Sequence, residues 1–389
     1  MDPAPSRRNI LVLNAYHGGS HAVLVDSMRQ HSRHALRVLG LPAKHWGWRM
    51  RVGGLQFVDE LSSMPAGEIE MIEGIWTTSM LDLVGFRGLA AGSPSQTIRR
   101  LANLPVLVYF HENQMTYPAS RHQRTDLHYG YTQIQTAMAA QHVAFNSEFH
   151  RVSFFDAARA TLRRMPDARA CHNLDCAKEN SSVLPPGAQW PGDDPDESEH
   201  PRRSIPHGPI RIGWVSRWEH DKRPDLFVRM IHRLADAGHD FRLILLGRPS
   251  SRDQHLFDLE QAFGERVDHA FQSDRSGYLQ ALAAMDVVVS TAEHEHFGIA
   301  ICEAVLRGAT PILPNRQVYP ELFPDCCLYD ADGDDQIVEN VVAAVLALRD
   351  PVARTSVARR AMAGLDGTQS WRCIQRIDDA LCRMVTASV

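Results

Sequence analysis

The sequence predicts two doubly wound α/β domains with a cleft between them, and two observations carry that expectation. Short apolar runs rich in β-branched residues recur along the chain, each followed by a helix-length amphipathic segment. A proline-rich acidic stretch divides those runs into two sets. Strands that are apolar without alternation are buried on both faces, as in a parallel sheet covered by helices on either side. With 389 residues, 44% hydrophobic and 22% charged, the chain exceeds one ordinary core and suits two domains of roughly 150–200 residues each. The same composition excludes disordered, collagen-like and coiled-coil classes.

The first run, residues 10–13, follows a short polar start and opens a domain predicted over 1–184. It leads to Asn14-Ala15-Tyr16-His17-Gly18-Gly19-Ser20-His21 and then a helix through Leu24, Val25 and Met28. Runs 106–110 and 143–145 continue the same sheet. Residues 185–208 read as an exposed linker, since clustered prolines and the acids Asp193, Asp194, Asp196, Glu197 and Glu199 cannot bury a core. Runs 210–215, 241–246, 287–290 and 310–313 then build a second domain over 209–369.

No run approaches the roughly 18 apolar residues of a membrane span, and the start lacks a signal-peptide stretch. Seven scattered cysteines, an odd number, argue for a reducing compartment rather than a disulfide framework. A cytoplasmic protein is therefore expected. Net charge is −5, but residues 1–206 hold 21 Lys and Arg against 20 Asp and Glu, and residues 207–389 hold 20 against 26. With the linker acids set aside, the first half is basic, which permits an anionic partner there.

Three strand ends could carry chemistry. Ser216-Arg217-Trp218-Glu219-His220-Asp221-Lys222-Arg223-Pro224 follows the run 210–215. Ligands of open α/β sheets sit outside the carboxyl ends of strands, so Arg217 and Lys222 would aim cations at a diphosphate; the alternative is a solvated charge run. Thr291-Ala292-Glu293-His294-Glu295-His296-Phe297-Gly298 precedes a helix predicted over 299–307. Its N-terminus offers free N–H groups to a phosphate. Glu303, eight positions after Glu295 and among apolar neighbours, suits hydrogen bonds from sugar hydroxyls. In the first half, Gly18-Gly19 forms a strand–turn–helix anion cradle, a weak signal alone. His111, in His111-Glu112-Asn113-Gln114 after the run 106–110, is the best candidate there to meet a reacting sugar, or is a satisfied structural histidine. Gly-x-Gly-x-x-Gly, Walker and Gly-x-Ser-x-Gly patterns are absent. Metal spacings such as His-Glu-x-x-His and Cys-x-x-Cys are also absent, so no metal site is expected.

Glu295-x7-Glu303 with Phe297-Gly298, preceded by Arg217 and Lys222 five apart, resembles the donor site of glycosyltransferase family 4. The resemblance implies a retaining, nucleotide-sugar-dependent enzyme of GT-B architecture that needs no metal or other cofactor. It implies diphosphate binding by Arg217 and Lys222, ribose binding by Glu303 and donor-sugar contact by Glu295, with donor contacts from Phe297 and Gly298. Gly18-Gly19 would face the phosphates across the cleft, and His111 would approach the sugar from the acceptor side. It further implies that 370–389 forms a helix crossing back to the first domain.

A narrower likeness spans nearly the whole chain. The segment Asn14 to His21, Leu41-Pro42-Ala43-Lys44-His45-Trp46-Gly47-Trp48-Arg49, Tyr109 to Gln114 with Tyr117-Pro118, Tyr129-Gly130-Tyr131, Trp218 to Lys222, and Val318-Tyr319-Pro320-Glu321-Leu322-Phe323-Pro324 are similar to the tRNA-queuosine mannosyltransferase family. That family implies transfer of mannose from GDP-mannose to the cyclopentene-diol of queuosine at the wobble position of the tRNA anticodon, with tRNA-Asp as the expected acceptor. Other readings stay open: a family 4 enzyme with another nucleotide sugar and a lipid or glycan acceptor, a GT-B phosphorylase or epimerase, or an RNA-binding or sugar-nucleotide-sensing module.

The residues offer two surfaces to an RNA. A helix expected over 147–165 would carry Arg151, Arg159, Arg163 and Arg164 on one face, with Arg169 beyond; that face suits phosphates, a membrane surface or plain solvent. Trp46-Gly47-Trp48-Arg49-Met50-Arg51 could stack a splayed base or pack under a loop.

Overall fold

Strand β1 (Asn9–His17) sends alternate side chains into two layers: Ile10 and Val12 face one core, Leu11 and Leu13 the other. That period of two is what a strand buried on both faces requires. The computed structural model describes residues 7–118, 126–167, 171–191, 208–248 and 254–387. Within them the chain forms two units, Met1–Gly187 with Ser370–Val389, and Ala188–Gln369.

The first unit's strands continue with β2 (Ala35–Pro42), β3 (Gly74–Thr78), β4 (Val106–Phe110), β5 (His142–Phe145) and β6 (Ser181–Val183). All pair in parallel, in the order β2-β1-β3-β4-β5-β6. The order reverses between β1 and β3, so the loops at the carboxyl ends of β1, β3 and β4 bound the natural crevice of this unit. β1 runs four residues past the expected 10–13, pairing His17 with Pro42 after a register shift beyond Asn14.

The C-terminal helix, Ser370–Ala387, covers one face of this sheet. Ile374, Ile377, Leu381 and Met384 lie one turn apart and pack with Leu24, Val25, Met28 and Trp76. Asp378 is buried on the same helix; its carboxylate accepts from Ser32 Oγ at 2.7 Å and from the Arg33 backbone N–H at 2.8 Å. The expected exposed linker does not begin at residue 185, because Pro186, Gly187 and Ala188 are buried. The Ala188 N–H donates to the Thr368 carbonyl at 2.8 Å, so apolar contact and a backbone bond hold what proline content suggested would be free. The rest of that linker, 192–207, lies outside the described residues.

The second unit contains β7 (Ile210–Trp214), β8 (Phe241–Leu245), β9 (Val267–His269), β10 (Val287–Val289), β11 (Thr310–Pro314) and β12 (Leu328–Tyr329). Their order is β12-β11-β10-β7-β8-β9, again parallel. Here the order reverses between β7 and β10, which brings the loops 215–223 and 290–298 side by side. Pro224 opens the helix Pro224–Asp236 at its first turn, and Leu226, Phe227, Met230, Ile231 and Leu234 form its buried stripe. No described helix is long and apolar enough to cross a membrane.

Asp378→Ala removes the acceptor of two bonds and leaves a half-buried N–H and hydroxyl unmet, at about 1–3 kcal/mol. Hydrogen exchange should show lost protection across Ser370–Ala387; protection equal to the parent protein's would contradict this role.

Candidate functional site

The loop after β7 is shaped by tryptophan. Trp218 stacks on Trp214 with ring centroids 5.2 Å apart and donates its indole N–H to the Gly247 carbonyl at 3.2 Å. This turns the chain so that Lys222, in a short 3-10 turn, points inward beneath the loop that follows β10. The Lys222 ammonium donates to the His294 carbonyl at 2.5 Å and to Glu295 Oε2 at 3.1 Å, and lies 3.2 Å from Asp221 Oδ2. Backbone bonds fasten the two loops to each other. The Glu293 N–H donates to the Asp221 carbonyl, and the Thr291 hydroxyl lies within bonding distance of the Lys222 and Arg223 carbonyls.

Glu295 is shared between two positive environments. Its Oε2 faces Lys222, while its Oε1 accepts from the backbone N–H groups of His296 at 3.1 Å, Phe297 at 3.4 Å and Gly298 at 3.0 Å. Gly298 caps the helix Ile299–Leu306 with φ 77°, a left-handed conformation that favours glycine. The arrangement is an anion seat at a helix N-terminus, filled by the protein's own carboxylate. Burial pushes the Glu295 carboxyl up, but the charge and hydrogen bond of Lys222 and the Phe297 amide outweigh it and hold it below its ordinary 4.5. Burial likewise opposes the Lys222 ammonium, yet Glu295 and Asp221 raise it above 10.5. Glu295 therefore stabilises the fold above about pH 4.5 and loses that contribution as pH falls through its lowered value. Lys222 contributes below about pH 10.5 and loses its share as pH rises through its raised value. The pair stays ionised throughout the neutral range.

Glu303 lies in the helix Ile299–Leu306 and is buried. Arg275 pairs with it at 2.5 Å, and the Tyr278 hydroxyl donates to its Oε2 at 3.2 Å. Arg217 is 57% exposed and ion-pairs with Glu219 at 2.8 Å; its charge reaches Lys222, opposing the ammonium. The structure thus joins Lys222, Glu295, Phe297 and Gly298 directly, keeps Arg217 at the rim, and ties Glu303 to partners of its own.

In the first unit, Gly19 caps the helix Ser20–His31 with φ 54°, and space is open where a side chain would stand. Gly18 has a packing reason as well: a Cβ there would lie 2.4 Å from Ala43 Cβ. His111 follows β4 and is buried, its ring 4.0 Å from that of His21 and 4.8 Å from that of Tyr109. Among the described residues its buried Nε2 has no hydrogen-bond partner, which a purely structural histidine would seldom leave so. Burial, helped by His21 and His150, holds its pKa well below 6.5. His111 is a neutral imidazole at physiological pH.

Asp221, Arg275, Tyr278 and His21 belong to these sites and were not singled out from sequence. Asp221 lay inside the Trp218–Lys222 segment and could have been. Arg275 and Tyr278 stand 28 and 25 positions before Glu303, beyond any local spacing. On the Glu148–Arg163 helix, Arg151 pairs with Glu148, and Arg159 pairs with Asp175. The expected basic face is therefore partly neutralised, and Arg169 lies outside the described residues. Trp46 and Trp48 are 41% and 62% exposed, which excludes their packing under a loop. Among the described residues no group of three His, Cys, Asp or Glu is placed to hold a metal ion.

Comparison with known proteins adds the following. Residues 9–188 match the family described as tRNA-queuosine alpha-mannosyltransferase N-terminal, and residues 195–327 match glycosyl transferases group 1. The chain is 31% identical over 333 residues to the Drosophila melanogaster protein named tRNA-queuosine alpha-mannosyltransferase, covering 84% of this chain and 85% of that one. A Mycobacterium tuberculosis protein named GDP-mannose-dependent alpha-(1-6)-phosphatidylinositol dimannoside mannosyltransferase is 26% identical over 174 residues, 42% of this chain and 44% of that one. Sucrose-phosphate synthase from Thermosynechococcus elongatus superposes with a TM-score of 0.70 at 16% identity, covering 98% of this chain and 100% of that one. That likeness establishes the GT-B fold.

Removing one partner of a buried ion pair strands the other, so Lys222→Ala should destabilise the second unit by about 3–5 kcal/mol. In a double-mutant cycle with Glu295→Ala, followed by denaturant unfolding, coupling of about 1–3 kcal/mol is expected. Strictly additive effects would contradict the geometry.

Proposed function

This chain is a glycosyltransferase belonging to the tRNA-queuosine α-mannosyltransferase family, and from that membership we propose that it moves mannose from GDP-mannose to the cyclopentene-diol of queuosine in tRNA, the aspartate isoacceptor being the substrate. The observation that carries the reading is likeness to the fly enzyme along 84% of the chain, an extent too long to lie within either unit alone. The choice of GDP-mannose is supported by the mycobacterial relative, whose name specifies that donor.

The anion seat supports a diphosphate leaving group. In the proposed reaction the diphosphate takes the Gly298 helix N-terminus and the Lys222 ammonium, displacing the Glu295 carboxylate, which then meets the sugar hydroxyls. Arg217 closes on the phosphates from the rim. The bond from the anomeric carbon to the diphosphate oxygen breaks, and charge gathers on that oxygen, where Lys222 and the helix amides offset it. The queuosine hydroxyl attacks from the same face and gives its proton to the departing phosphate oxygen, so configuration is retained and no metal is used. Glu303 accepts from the ribose hydroxyls once Arg275, which is 44% exposed, swings outward. On the acceptor side, His111 is neutral and its Nε2 has no hydrogen-bond partner among the described residues, which suits it to meet a sugar hydroxyl.

Incubation with labelled GDP-mannose should label tRNA from queuosine-making cells and leave tRNA from queuosine-deficient cells blank. Equal labelling of both pools, or label only in a lipid or glycan fraction, would reject the acceptor. Arg217→Ala alters a largely exposed side chain and should lower kcat/KM by a factor equivalent to about 2–4 kcal/mol; an unchanged value would remove it from the diphosphate site. Activity should survive a chelator, whereas loss restored by a divalent ion would overturn the metal-free scheme. Because His111 is already neutral, its titration should cause no loss of kcat/KM between pH 8 and pH 6.5. A fall across that window that is absent in His111→Asn would contradict the neutral form.

A further inference from the structure

The first turns of the Trp46–Ser62 helix present an aromatic and cationic surface that the donor chemistry does not use. Trp46 and Trp48 stand 41% and 62% exposed, beside Lys44, Arg49 and Arg51. Among the described residues no carboxylate lies within ion-pair distance of these three cations, and the first acid along the helix is Asp59. Indoles are large apolar surfaces that a protein ordinarily buries, so two of them exposed within one turn call for a partner.

The backbone is built to keep them outward. His45, the residue before the helix, adopts a left-handed conformation with φ 54° and ψ 57°, uncommon outside glycine and costing about 1 kcal/mol or more. Gly47 abuts Tyr129: a Cβ at residue 47 would lie 2.4 Å from the Tyr129 hydroxyl oxygen. Tyr129, on the Leu127–Ala139 helix, also sits 4.8 Å from the Trp46 ring, and the Arg51 guanidinium lies 5.3 Å from its centroid. The contact anchors one edge of Trp46 and leaves Trp48 free to stack. Meanwhile Met50, Gly53, Phe57 and Leu61 form the stripe that meets the core, so the fold itself occupies the helix's apolar face.

We propose that Lys44, Trp46, Trp48, Arg49 and Arg51 form the docking surface for a single-stranded RNA loop, its bases stacking on the indoles and its phosphates meeting the cations. The identification rests on the tRNA-acceptor reading above and specifies where that acceptor binds. Stacking aromatics interleaved with unneutralised cations are the recognition chemistry of unpaired nucleotides. The Glu148–Arg163 helix is the weaker choice, since Glu148 and Asp175 already occupy two of its arginines. A flat membrane surface fits less well, because the exposed side of the Trp46–Ser62 helix turns acidic at Asp59 and Glu60.

The test measures binding of an isolated anticodon stem-loop RNA, without donor, to the full chain and to Trp46→Ala, Trp48→Ala, Trp48→Phe and Arg49→Gln with Arg51→Gln. GDP binding serves as control. Each alanine variant should weaken stem-loop binding about 5- to 50-fold, Trp48→Phe should retain most of it, and the double glutamine variant should reduce the salt slope by about 2. GDP binding should not change. Parent-like stem-loop binding in both alanine variants would overturn the surface, and so would variants that lose vesicle binding while keeping RNA. If the parent protein fails to label queuosine tRNA, the acceptor reading falls, yet stem-loop binding still decides whether this surface holds RNA.

Discussion

A buried ammonium has to be neutralised where it stands, and Lys222 imposes that requirement on the loops that follow β7 and β10 in the second unit. Its charge lies between Asp221 and Glu295 and under the His294 carbonyl. Meeting it draws the loop after β7 against the loop after β10, and the backbone bond from Glu293 to Asp221 holds them there. The sheet's order makes this possible, since β7 and β10 are neighbours in space and distant in sequence. Tyr319 and Tyr329 steady the second loop from behind, their hydroxyls on Ser290 at 2.8 and 2.9 Å.

The same requirement links resting structure to chemistry. Three backbone N–H groups and one ammonium converge on Glu295, a density of positive charge suited to a doubly charged phosphate more than to one carboxylate. In this structure the Glu295 carboxylate fills that seat. In the first unit the device is the opposite one: His111 is kept neutral by burial and by the imidazoles of His21 and His150.

Much of this was legible in sequence where local pattern decides. The run 106–110 is β4 residue for residue, and the spacing of Lys222, Glu295 and Gly298 pointed at one site because each follows a strand end. Other features depended on contacts that no window contains. β3, of five residues, begins with Gly74 and shows no long β-branched run, and β6 has only three residues. Arg275 reaches Glu303 through folding alone. Proline content misjudged residues 185–188, which are held by Ser370 and Thr368, and a count of arginines overlooked Glu148 and Asp175 as neutralising partners. The exposure of Trp46 and Trp48 and the tight approach of Tyr129 to Gly47 are likewise features that composition does not announce.

In the proposed reaction Glu295 rests in the seat that a nucleotide diphosphate takes. Calorimetric titration of GDP, which has the phosphates and no sugar, into the parent protein and into Glu295→Ala tests it directly. Freed of the competing carboxylate, the variant should bind GDP more tightly than the parent. Equal or weaker binding in a folded Glu295→Ala protein would show that the carboxylate and the phosphates do not share a site.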